Sequence, residues 1–126
     1  MKTIVFAPDA PAALGPYNHA VQWNGLVFTS GQIGVNPASG KLAPTVGEQT
    51  RQALHNLKAV LAAAGCTLSD VVKTTVFVQD LGDFATVNAI YGEIFSGEFP
   101  ARSCTQVAKL PAGALVEIEA IAAKSS

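Results

Sequence analysis

The sequence predicts an α/β (α+β) fold, a mixed β-sheet carrying two helices on one face, built as a single domain from residues 1–126. Three observations carry this expectation. Asn24-Gly25 separates two short apolar runs, Ala20 to Trp23 and Leu26 to Ser30. That dipeptide is the strongest short hairpin signal, because both turn positions need positive φ. Two segments with helical apolar spacing then alternate with strand-like runs, which favours crossover units in a partly parallel sheet. Right-handed crossovers that advance in one direction place both helices on the same face. The opposite face is left bare.

Along the chain, residues 8 to 16 (PDAPAALGP) hold three prolines and a glycine, which block both ladder and helix and so mark a lead-in loop. After the hairpin and a turn-rich stretch from Asn36 to Pro44, Thr45 and Glu48 form a T-x-x-E capping pattern. The helix it opens runs to about Ala64, with Ala53, Leu54, Leu57, Val60, Leu61 and Ala64 as its apolar stripe and Gly65 as its stop. Arg51, Gln52, Asn56 and Lys58 fall mainly off that stripe. Val71 to Val78 (VVKTTVFV) is rich in β-branched residues and reads as a mostly buried strand. Asp83 caps a second helix to about Phe95, whose apolar side is Phe84, Val87, Ile90, Tyr91, Ile94 and Phe95. Two strands, Arg102 to Ala108 and Leu115 to Ala123, close the chain around the Pro-Gly region Leu110 to Ala114.

Eight Lys and Arg against nine Asp and Glu leave a formal charge of -1 with no long run of either sign. Nothing here provides the electrostatic footprint of nucleic-acid or acidic-membrane binding, so the expected partner is a small molecule. Only 13% of residues are charged and mean hydropathy is +0.33, apolar enough to suggest burial against other copies of the chain. The apolar run Ile4 to Ala7 is too short for a membrane span or a signal-peptide core, and the expected location is cytoplasmic. Cys66 and Cys104 have neither the number nor the spacing of a disulfide framework or zinc site.

Few residues announce chemistry by themselves. Period-two alternation puts Arg102, Cys104 and Gln106 on one face of their strand. Arg102 can present its fork to a carboxylate, or it can be a salt-bridged strand-end arginine. In the last strand the same alternation aligns Glu117 with Glu119 and Ile121, two carboxylates on an otherwise apolar face. Either one is a general base or water-orienting group, or this is an edge strand with a wet face. Cys104 lacks a recognisable histidine partner, which leaves it a small half-buried residue rather than a nucleophile. His55 is a surface or boundary residue, and His19 can approach a cleft. Ser30-Gly31 offers a hydroxyl and a close backbone approach, or ordinary turn chemistry. Asn88 is polar beside the second helix's apolar side. No P-loop, GxGxxG, HExxH, CxxC pair or GxSxG occurs.

Six blocks, in order, resemble the RidA (YjgF/YER057c) family of reactive-intermediate imine deaminases. They are Gly15-Pro16-Tyr17, Thr29-Ser30-Gly31-Gln32, Val72 to Val78, Phe84 to Asn88, Pro100 to Cys104 and Val116 to Ala122. The resemblance implies a homotrimer with a chorismate-mutase-like fold and clefts between subunits. It implies hydrolysis of 2-aminoacrylate or 2-iminobutanoate type acids to 2-keto acids and ammonia, with no metal or organic cofactor. By this resemblance Arg102 binds the substrate carboxylate and Glu117 orients the attacking water. A backbone carbonyl at Cys104 helps hold that water, while Tyr17, Ser30, Gly31 and Asn88 line the cleft. The link Ser96 to Phe99 is shorter than in some members, and His19 and Trp23 are not family signatures.

A plain hairpin of the last two strands would part Arg102 from Glu117 by about 20 Å. The family fold inserts the last strand elsewhere in the sheet, and the expectation is that the two residues face one intersubunit cleft. A structure placing their side chains on opposite faces of the sheet would sink the mechanism. The rival from another class is a binding module that senses a small keto acid or amino-acid-derived metabolite in the same clefts; it needs the arginine but not the acid. An RNA-cleaving activity, attached to relatives, fits poorly with the neutral charge.

Overall fold

A computed structural model describes residues 1–124. The hairpin signal folds as expected: Asn24 and Gly25 both take positive φ, 53° and 79°, between β2 (Ala20–Trp23) and β3 (Leu26–Thr29). Two short strands escaped the sequence reading, β1 (Thr3–Val5) and β4 (Gln32–Ile33), because three and two residues are too few to show a period. Helix α1 (Val46–Ala63) begins where Thr45 Oγ1 accepts from the Glu48 N–H at 3.2 Å. It ends at Gly65, whose φ of 80° lets Cys66 N–H return to the Leu61 carbonyl.

β5 (Val71–Val78) and β6 (Ala101–Gln106) run parallel through the crossover helix α2 (Phe84–Phe95), and β7 (Val116–Ala123) closes the chain. Asp83 is the N-cap of α2, but its side chain makes no cap bond; Asp80 instead caps a single 3₁₀ turn, Leu81–Asp83, that leads into the helix. The seven-stranded sheet has the order β1-β2-β3-β7-β5-β6, with β4 continuing the β3 side of β7. The last strand therefore sits between β3 and β5, and it is not a hairpin partner of β6.

Both helices cover one face. The α1 stripe Ala53, Leu54, Leu57, Val60, Leu61 and Ala64 packs on Val27, Val76, Ile118, Ala120 and Ala122, all buried. Asn56 corrects the reading of that helix: it is 1% exposed, three residues after Ala53 and four before Val60, which places it on the buried stripe after all. The other face, carrying Ile4, Val21, Trp23, Phe28, Phe77 and Ile121 among polar residues, has no covering element among the described residues. Ile4 and Trp23 are more than half exposed there.

Candidate active site

Glu117 opens into a cavity of about 560 Å³ whose walls include Tyr17, His19, Gly31, Ile33, Pro111 and Glu117 itself. Its seat is made by glycine. A Cβ on Gly31 would lie 2.7 Å from both Cδ and Oε2 of Glu117, so only a residue without a side chain allows the carboxylate to occupy this position. Burial, reinforced by the neighbouring Glu119 charge, pushes the Glu117 carboxyl above its ordinary pKa. Its strand is central, so the edge-strand reading of the two glutamates does not hold.

Polar side chains buried on α1 fix the walls. Asn56 Nδ2 donates to the carbonyls of Ile33 (3.0 Å) and Val35 (2.8 Å), either side of a point where Gly34 lets the chain touch the helix backbone at Gln49. Gln49 reaches both the Ala43 carbonyl and the Leu115 N–H, tying the start of β7 to the loop after β4. His19, 4% exposed, accepts from Ala7 N–H through Nδ1 and bonds the Pro11 carbonyl through Nε2, so it pins the lead-in loop that forms one wall. Ser30 does similar work: its hydroxyl donates to the Asn18 carbonyl at 2.6 Å, beside Tyr17, and it does not itself line the cavity.

Arg102 belongs to a second, smaller cleft of about 310 Å³ lined by Asn88, Tyr91, Gly92, Phe99, Pro100 and Arg102. Its guanidinium carbon stands 4.8 Å from the Tyr91 ring centroid and 5.5 Å from that of Phe84. Among the described residues it has no carboxylate partner; the ion pair found there joins Arg51 to Glu93 at 3.1 Å. The salt-bridged strand-end reading of Arg102 is therefore not what the chain does. Asn88 Oδ1 is buried in the same cleft without a hydrogen-bond partner. Cys104 follows on the same face, half-buried, with its thiol pKa pushed up by burial and only partly relieved by Arg102. A thiol held in that form is a poor nucleophile.

The register separates the two charged residues. Arg102 pairs with Thr74, which pairs with Ala120, and both of these are buried under the helices. Glu117 pairs with Phe77, which pairs with Thr105, on the uncovered face. Directly paired residues share a face, so Arg102 and Glu117 point to opposite sides of the sheet. They are also two strands and three residues apart, about 10 Å in each direction. The expectation of a common face is corrected, and with it falls the mechanism in any form that draws both residues from one chain, where the two do not share a cleft. The same split sorts the other candidates, with Tyr17 and Gly31 beside Glu117, and Asn88 and Cys104 beside Arg102.

Sequence reasoning passed over Gln49, Asn56 and Tyr91. Asn56 had a usable signal in its spacing from Ala53 and Val60; Tyr91 looked like any aromatic on an apolar helix side. Among the described residues, no three His, Cys, Asp or Glu side chains gather as metal ligands, and no helix is long and apolar enough to cross a membrane.

Residues 7–124 match the family described as endoribonuclease L-PSP. A 2-iminobutanoate/2-iminopropanoate deaminase from Escherichia coli is 50% identical over 98% of this chain and 99% of its own. One of the same name from Mus musculus is 51% identical over 97% and 91%. The crystal structure of the Escherichia coli YjgF gene product superposes with a TM-score of 0.95 at 49% identity, over 98% of this chain and 99% of that one. Escherichia coli TdcF with bound serine gives 0.94 at 46% identity, with the same coverage. A family match over nearly the whole chain, about half identity at near full length and close superposition leave one conclusion: the chain belongs to the endoribonuclease L-PSP family, the YjgF/RidA proteins.

Proposed function

We propose that this protein hydrolyses short 2-enamine and 2-imine acids, of the 2-aminoacrylate and 2-iminobutanoate type, to 2-keto acids and ammonia. Relatives named for that deamination at about half identity over the full length support the reaction class. One observation supports the site: Arg102 has no carboxylate, and Glu117 no cation, among the described residues of their own chain. Each is placed at a cleft and left without its complement.

The opposite-face geometry favours a site completed by a second copy, in which Glu117 and the Tyr17–Gly31 wall of one chain meet Arg102, Asn88 and Cys104 of another. A homotrimer of the chorismate-mutase-like kind supplies such clefts by cyclic symmetry. The uncovered sheet face, with Ile4 and Trp23 exposed, suits that contact.

In the reaction an enamine first tautomerises to the imine. Arg102 holds the substrate carboxylate through paired charge-assisted bonds, which fixes the imine carbon. Glu117, deprotonated, accepts a hydrogen bond from water and takes its proton as the oxygen adds to that carbon. Addition to the protonated imine gives a neutral carbinolamine. Glu117 passes the water's proton to its nitrogen, and the C–N bond breaks to release ammonia. The hydroxyl gives its proton to the again ionised Glu117 as the C–O bond becomes the ketone, a proton that the ammonia takes up as ammonium. Orientation and base assistance worth on the order of 10²-fold suffice for imines that already hydrolyse unaided. The raised pKa of Glu117 makes it a stronger base once ionised.

The test is to generate 2-aminoacrylate or 2-iminobutanoate in situ and follow its decay with wild type, Arg102→Ala and Glu117→Ala. Acceleration by the wild type alone is expected. If no short imino acid decays faster with wild type, the clefts serve only to bind a keto acid or amino-acid-derived metabolite.

A further inference from the structure

We propose that Tyr91 is the positioning residue for Arg102, presenting its ring face so that the guanidinium is aimed without any of its N–H donors being used. This rests on the reading of Arg102 as the group that binds the substrate carboxylate. A strand-end arginine on the edge strand β6 has many rotamers, and a site that must place an imine carbon needs one of them. The usual device, a neighbouring carboxylate, would occupy the same fork that the substrate needs. Here no carboxylate takes it among the described residues, and the ring of Tyr91 at 4.8 Å does the holding. A π face attracts the cation through its flat side and leaves the five in-plane N–H groups free.

Tyr91 is itself fixed. It is 4% exposed, its hydroxyl shares a 2.7 Å hydrogen bond with Thr74 Oγ1, and the Phe95 ring lies against it with centroids 4.5 Å apart. Thr74 is fully buried and is the register partner of Arg102 across β5 and β6. The two strands that set the position of the Arg102 backbone therefore also set the ring that orients its side chain. The Phe84 ring also approaches the guanidinium, at 5.5 Å, but it is 40% exposed and lies at the first residue of α2, so it is the looser wall.

The experiment measures 2-oxobutanoate binding by calorimetry, a probe that carries the carboxylate and undergoes no deamination, on wild type, Tyr91→Leu, Tyr91→Phe, Arg102→Ala and the Tyr91→Leu/Arg102→Ala pair. Imino acid turnover is followed in parallel. Tyr91→Leu should weaken binding about tenfold and raise KM more than it lowers kcat, while Tyr91→Phe, which keeps the ring, should stay within about twofold of wild type. In the Arg102→Ala background Tyr91→Leu should cost nothing further. Equal losses in both backgrounds, or Tyr91→Phe as damaging as Tyr91→Leu, would overturn the proposal. Arg102→Ala weakening the probe while Tyr91→Leu does not removes Tyr91 alone; Arg102→Ala binding as tightly as wild type removes the role of Arg102 and that of Tyr91 with it. Should Tyr91→Leu not fold, the wild type decides: the Arg102 side-chain NMR signals should be displaced upfield by the ring, and resonances at their free positions overturn the assignment.

Discussion

The missing side chain of Gly31 is the space in which the Glu117 carboxylate sits, since a Cβ there would lie 2.7 Å from Oε2. The backbone at residue 31 is outside the positive-φ region, so alanine strains no dihedral and acts only by displacing the acid. Gly31→Ala should therefore lower kcat/KM for imino acid hydrolysis by about 10²-fold, the scale of lost base assistance, with far-UV circular dichroism unchanged. Near wild-type turnover would mean that Glu117 need not occupy this position.

Glu119 bears on the same acid through charge. It raises the Glu117 pKa in addition to the larger effect of burial, so Glu119→Gln should lower that pKa. Because Glu117 in the proposed mechanism must be ionised to accept a proton, the acidic limb of the kcat/KM profile should move to lower pH in Glu119→Gln, as read from the pH–rate curve of the variant against wild type.

Stability should respond in the opposite sense to an ordinary surface acid. A carboxyl whose folded pKa lies above its unfolded value leaves the folded state binding more protons in that interval, so stability falls as pH rises through it. The cost is absent below the unfolded pKa and complete above the folded one. Glu117→Gln should raise the thermal midpoint at neutral pH, and the gain should vanish as the medium is acidified below the carboxylate range.

Opposite faces for Arg102 and Glu117 lead to a complementation test. Arg102→Ala and Glu117→Ala chains, each inactive alone, should regain activity when unfolded together and reassembled. In the proposed cyclic trimer, an assembly holding both variants would have about one site in three that takes its Glu117 and its Arg102 from intact sources. No recovery in mixed assemblies verified by mass spectrometry would exclude the two-chain site.

Asn56 holds the β4 segment through two part-buried backbone carbonyls, and its loss removes both bonds, leaving the Ile33 carbonyl with only the Val35 N–H as donor. Asn56→Ala should destabilise folding by about 2 to 4 kcal/mol, measured from the urea midpoint at unchanged slope.

Much of the architecture was legible. The Asn24-Gly25 turn, the Thr45 cap, the Gly65 stop and the β-branched run Val71–Val78 are local signals, each set by the conformational limits of a few neighbouring residues. β1 and β4 were not legible, because a strand of two or three residues exists only by virtue of the ladder it joins. Asn56 looked like a solvent-side polar group, and Gln49 gave no signal at all, until the chain folded against them and supplied backbone partners for their amides.

The candidate site divides in the same way. Arg102 and Glu117 stand out in the sequence as charges in apolar strands, and alternation fixes which neighbours each one faces. Which face of the whole sheet that is depends on the insertion of β7 between β3 and β5, a contact between residues far apart in the chain. That register alone places Arg102 against Tyr91 beneath α2 and Glu117 against Gly31 on the uncovered side. The sequence by itself determined the elements and the chemical types, because those depend on local dihedrals and spacing; the tertiary structure decided that the two charges part, because strand pairing is a long-range choice.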